Sequence, residues 1–148
     1  YLMDFTEFRN RLARVVDNID QMALDSAMDV KETIADLNVE QLESGITNKG
    51  KPIRPKYRSK LYAQYKKAIG AKPPLYTPDL KAEGGFHSGI HARRYPNSIE
   101  TDSTDWKAKK LIITYHHIMG LTNKSQKELN KEALPNLNKR IQDELFAS

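Results

Sequence analysis

The chain contains no cysteine, which excludes disulfides and thiolate metal sites and fits synthesis in a reducing cytosol. Glycine and proline are missing from its first 44 residues; the first glycine is Gly45 and the first proline Pro52. That gap removes the two residues that most readily interrupt a helix. Acidic residues are absent from 45 to 78, a stretch that holds nine Lys and Arg. No apolar run approaches the ~20 residues a membrane-spanning helix needs, and no signal-peptide pattern is visible. Also missing are a P-loop, a glycine-rich nucleotide fingerprint and a Ser-His-Asp order.

What is present is a chain of 148 residues, 39% hydrophobic and 29% charged, a length that one domain ordinarily fills around a single core. The net charge of +5 conceals segregation. Residues 1–44 carry ten acids against four bases, residues 45–78 only bases, and residues 79–148 eleven bases against nine acids. Such asymmetry points to an acidic partner, either nucleic acid or the acidic segment of a neighbouring copy.

The glycine-free stretch reads as helix. Phe5, Phe8, Leu12, Val15, Ile19 and Met22 recur at alternating spacings of three and four, the signature of one apolar seam. The seam slips and continues as Ala23, Ala27, Val30, Ile34 and Leu37, which turns its second half towards a different neighbour. Asp25 or Ser26 offers an alternative cap and a break near 25–29. A helix this long outreaches the rest of the chain, so its seam (Phe5, Phe8, Leu12, Val15, Ile19) is expected to contact another subunit. The alternative is a helical hairpin within the chain. We therefore divide the sequence into an N-terminal helical segment, 1–44, and a body, 45–148.

Gly45 is placed to end that helix, because a C-cap needs positive φ. Asn48-Lys49-Gly50 reads as a tight turn between short extended pieces, 45–47 and 51–53. From Tyr57 to Ile69 helical spacing returns at Leu61, Tyr65 and Ile69, with Tyr62 beside them; Gly70 caps it and Pro73-Pro74 bars continuation. Tyr62 and Tyr65 are expected in the core. Gly84-Gly85 introduces an alternation in which Phe86, Ser88, Ile90 and Ala92 share one strand face. Pro96-Asn97 turns the chain into a second, antiparallel strand, 98–101. The stretch 107–115 is expected to be a short helix opened by Ser103 or Thr104 and stopped by Gly120. A final helix starts at Thr122 or Ser125, the latter forming a capping box with Glu128, and Pro135 should bend it. The fold class is α+β: a long N-terminal helix, a small antiparallel sheet flanked by helices, and a C-terminal helix.

Two catalytic patterns can be sketched. His87 and His91 would share a strand face, with His116, His117, Asp102 and Asp105 as further metal-ligand types. Asp79 followed at a distance by Asp105-Trp106-Lys107 echoes metal-dependent nucleases, which need two carboxylates on Mg²⁺ and a Lys beside the phosphate. Both patterns are degenerate, and neither a cofactor nor a metal site is assigned. The stronger signal is basic: Lys49, Lys51, Arg54, Lys56, Arg58, Lys60, Lys66, Lys67 and Lys72, with Tyr57, Tyr62, Tyr65 and Tyr76 between them. Lys56, Arg58, Lys60, Lys66 and Lys67 are expected to face either a neighbouring subunit or DNA phosphates.

Several pieces in order resemble a known class. They are Asp36-Leu37-Asn38-x-x-Gln41-Leu42-x-x-Gly45, then Gly50, Tyr57-x-Ser59, Tyr62-Ala63 and Lys66-x-x-x-Gly70. Asp79-Leu80-x-x-x-Gly84-x-Phe86, Ser103, Lys107, Leu111, Tyr115 and Ile118-x-Gly120-Leu121-Thr122 follow. This order is similar to small virion structural proteins of tailed bacteriophages and prophages, the minor head–tail joining, neck or tail-completion class. It departs from that pattern at Glu83, at Tyr115-His116-His117 and at Met119. The resemblance implies a non-enzymatic subunit, assembled in the host cytoplasm and resident in the virion as part of a ring of its own copies. Portal, neck or tail proteins would be its other partners, with non-specific DNA contact and no membrane. A small DNA-binding protein and a metal-dependent nuclease are the alternatives.

Overall fold

A computed structural model describes residues 4–82 and 84–147; Glu83, where the sequence departs from the phage pattern, lies outside the described residues. The order is α1 (Phe5–Met28), α2 (Lys31–Glu43), α3 (Lys60–Ala68), α4 (Gly85–Ser88), β1 (Ile90–Tyr95), β2 (Ser98–Ser103), α5 (Ala108–Thr114) and α6 (Asn123–Phe146). The architecture is α+β, as the sequence indicates.

Asp4 caps α1, its carboxylate accepting from the Glu7 amide at 2.7 Å. The helix breaks at Asp29 and Val30, at the end of the 25–29 window expected, but neither Asp25 nor Ser26 caps α2. Ser26 is buried instead: its hydroxyl donates to the Met22 carbonyl and accepts from Arg140. α1 and α6 pack antiparallel. Arg11 donates to the carbonyls of Leu145 and Ala147, Arg14 pairs with Glu144 at 2.9 Å, and Arg140 grips Asp29 through both guanidinium nitrogens. The long helix thus finds a partner within the chain, but that partner is the distant α6 and not α2 as a helical hairpin would have it. Phe8 stacks on Phe146 with centroids 6.2 Å apart, and Val15 is buried.

α2 ends in two bonds of a Schellman motif, Gly45 N–H to Leu42 O and Ile46 N–H to Gln41 O, each 2.9 Å. Gly45 has φ +73°, and a Cβ there would lie 2.8 Å from both Pro73 Cβ and Thr77 Cγ2, so conformation and space both require glycine. Gly50 (φ +75°) closes the expected turn, over which Ile46 bridges to Pro52. The 45–148 body does not hold its core alone. Leu42 of α2 packs with Ile53, Phe86, Ile90, Ala108 and Ile118, and Ala35 and Val39 lie against the same cluster.

The hairpin of β1 and β2 has register Ile90↔Ser103 to Tyr95↔Ser98 around Pro96-Asn97, and α2 covers it. Two strands are marginal without such cover. The strand expected from Phe86 starts only at Ile90. Gly84, at φ +86°, opens a helical turn, Ser88 N–H reaching Gly84 O at 2.9 Å. Phe86 and His87 are both buried, which a single turn permits and alternating strand faces do not. α5 forms within the expected stretch, but it is opened from Lys107 without a side-chain cap, not by Ser103 or Thr104, and Gly120 (φ +111°) does not stop it; the helix ends at Thr114. Thr122 rather than Ser125 caps α6, accepting from the Ser125 amide at 3.1 Å. α6 continues past Pro135 to Phe146.

Candidate assembly surface and an adjoining pocket

α3 is amphipathic, yet it is laid on the body with its apolar stripe outward. Leu61 is 80% exposed, Tyr65 57% and Ile69 58%, whereas the residues turned inward are Ala63 and Lys66. This reverses the core placement expected for Tyr65, and Tyr62, 42% exposed, lies edge-on to Tyr57 outside the core. The cause is on the inner side. Lys66, 5% exposed, places Nζ 2.8 Å from Asp79 Oδ1 and 2.7 Å from the Lys81 carbonyl. Asp79 is equally buried, and its Oδ1 accepts from the Lys81 amide at 3.0 Å. Removing one member of such a pair strands the other and typically costs about 3–5 kcal/mol. Lys66 therefore leaves the set of surface cations, a correction to its place among the interface residues.

The other predicted cations stay outside. Lys56, Arg58 and Lys60 are exposed, as are Lys49, Lys51 and Arg54, and no carboxylate lies in ion-pair range of these six among the described residues. Lys67 is exposed but turned on the chain, donating to the carbonyls of Ala71 and Pro73. Lys72 pairs with Glu43 at 3.5 Å. The uncompensated positive charge thus runs along the irregular 49–60 segment directly into α3.

The acidic half is also partly spent. Asp29 is held by Arg140, which keeps its carboxyl below the usual range, and Asp25 by Arg94. Asp17 and Asp20 on α1, and Glu32, Asp36 and Glu40 on α2, are exposed and have no ion-pair partner among the described residues. The seam expected to meet another subunit is divided. Val15 is buried, Phe8 and Ile19 are half-buried, and Phe5 and Leu12 are exposed. Val16, which the seam omitted, is exposed as well.

Beside α3 opens a pocket of about 150 Å³. Pro78, Leu80, Phe86 and Leu111 give it apolar walls, and Tyr57, Tyr62 and Tyr115 bring phenols to it. Burial, reinforced by the Asp79 carboxylate, raises the Tyr57 hydroxyl, and burial raises that of Tyr115, so both remain protonated. Leu80 holds a positive φ of +58°, a conformation costly for leucine, which turns the chain between Asp79 and the pocket wall.

The histidines do not gather into a metal-binding group among the described residues, and both carboxylates of the nuclease sketch hold bonds within the chain. Asp79 is committed to Lys66, and Asp105 Oδ1 accepts from the Lys107 amide at 2.8 Å. His87 is buried on the Asp79 carbonyl at 2.7 Å, while His91 lies opposite Asp102 in the hairpin and bonds the Gly89 carbonyl. Among the described residues no three His, Asp or Glu converge as metal ligands, and no helix is long and apolar enough to cross a membrane. No protein-family model, curated protein or solved structure matches the chain.

Proposed function

We propose that this chain is a structural subunit of a tailed-bacteriophage virion, one copy in a ring of the head–tail connector, neck or tail. The observation that carries the reading is the outward stripe of Leu61, Tyr65 and Ile69 on α3, preceded in the chain by six cations that have no carboxylate in ion-pair range among the described residues. A contiguous apolar surface of this kind marks an interaction site. The resemblance in sequence supplies the class of assembly, and the mixed character of the surface suits association: apolar side chains for affinity, charge for register.

Negative-stain imaging of the purified protein, together with sedimentation velocity, tests this. Closed rings or discrete oligomers are expected, and no hydrolysis of DNA in Mg²⁺ or Mn²⁺. A protein that stays monomeric up to high micromolar concentration overturns the reading. So does DNA cleavage that disappears in Asp79→Asn or Asp105→Asn.

A further inference from the structure

Building on that reading, we infer that α3 docks the outer face of α1 from a second copy of this chain, with the two helices antiparallel. On α1 the exposed residues Leu12, Val16 and Asp20 recur every four positions and so form one face, with Asp17 beside them. Read from its N-terminus, this face is apolar and then acidic. On α3 the order is opposite: Lys56, Arg58 and Lys60 lead into the helix, and Leu61, Tyr65 and Ile69 follow. Leu12 to Asp20 and Leu61 to Ile69 are nine residues each, about 12 Å of helix at 1.5 Å per residue, so with Leu12 at Ile69 and Val16 at Tyr65 the Asp20 carboxylate comes level with Leu61, beside Lys60. Antiparallel alignment is the arrangement that sets apolar on apolar and carboxylate on cation together. Arg9, one turn before Leu12, then falls at the C-terminal end of α3, where a helix favours positive charge.

The contact joins two different surfaces, since α1 rests on α6 and not on α3 within one molecule. A contact between unlike patches propagates head to tail and closes if the rotation between copies allows. The acidic partner of the 49–60 segment is thus the same protein, and the charge segregation along the chain is the two halves of one interface.

Two variants test the pairing, all their substitutions being at exposed positions. One reverses the bases (Lys56→Glu, Arg58→Glu, Lys60→Glu); the other reverses the acids (Asp17→Lys, Asp20→Lys). Each alone is expected to lose self-association by more than tenfold in sedimentation velocity, with circular dichroism unchanged. A 1:1 mixture is expected to regain it, because basic α1 then meets acidic α3 and the reverse. Association that persists in either variant, or a mixture that stays dissociated, overturns the pairing while leaving the ring reading intact. A base-reversed protein that assembles normally but no longer retains DNA also overturns it, and assigns those cations to a nucleic-acid-facing side. A wild-type monomer fails both proposals together.

Discussion

Lys66 and His87 show how single residues shape this molecule. Lys66 falls on the inner side of α3 opposite Leu61, Tyr65 and Ile69, and is neutralised there by Asp79. His87 hangs on the same segment, its Nε2 on the Asp79 carbonyl; a carbonyl only accepts, so Nε2 carries the proton. The other nitrogen, Nδ1, is buried without a partner. Burial pushes the imidazole below its ordinary 6.5, outweighing the pull of the Asp79 carbonyl and of the Asp79 and Glu43 carboxylates; Lys81 acts in the same sense as burial. A depressed folded-state pKa means that the unfolded chain binds more protons in that window. The contribution of His87 to stability is therefore full above about pH 6.5 and is lost as pH falls through the lower folded-state value. Thermal melts from pH 7.5 to 5 should show a decline that is much reduced in His87→Phe. A parent whose melting temperature is constant over that range, or a variant with an unchanged slope, rules this out.

At the scale of elements, the segment from His117 to Thr122 lacks secondary structure of its own and is held by three amide side chains. Asn38, fully buried, donates to the Ile118 carbonyl at 3.0 Å and accepts from Gly120 N–H at 2.9 Å and Thr101 Oγ1 at 2.7 Å. Gln41 donates to the Gly120 carbonyl and accepts from Thr122 N–H, and Asn48 donates to the Met119 carbonyl. Asn38→Ala should cost about 1–3 kcal/mol or more in chemical denaturation, because buried backbone groups lose their partners. The Gly120 amide should exchange much faster in the same variant; unchanged exchange there would show that water or neighbours replace Asn38. Asn38 and Gln41 were visible in the sequence within the motif before Gly45, but their role was not. Composition gives no sign that a polar residue on a helix is matched to carbonyls some 80 positions away. The same limit explains Gly120, which marks this clamp and not the end of α5.

For the whole molecule, the long N-terminal helix is not a free arm. Its inner face carries Phe8 and Val15, and α6 covers it along an interface bonded at both ends by arginines: Arg11 and Arg14 at one, Arg140 at the other. Deleting residues 1–24 should lower the melting temperature and uncover α6, whereas a helix used only between subunits could be removed without thermal effect. An unchanged melt in the truncated protein would return α1 to the role of a detachable contact arm. Phe5, Leu12 and Val16 remain outside, so the helix can serve the body with one face and a neighbour with the other.

The sequence alone determined where most of the helices run and several of their stops. The gap in glycine and proline favours helix throughout the first 44 residues, broken at Asp29 and Val30, Gly45 and Gly70 end theirs because positive φ suits glycine, and Pro96-Asn97 sets the hairpin. It also revealed that acid and base are segregated. Tertiary structure alone decided which face of each helix is covered. Periodicity records that Leu61, Tyr65 and Ile69 share a face, just as it does for Phe8 and Val15, but burial depends on what a distant segment brings to that face. For α1 the distant segment is α6, which brings Phe146 against Phe8 and is bonded through arginines. For α3 it is Asp79, whose buried carboxylate draws Lys66 inward and leaves the apolar stripe to solvent.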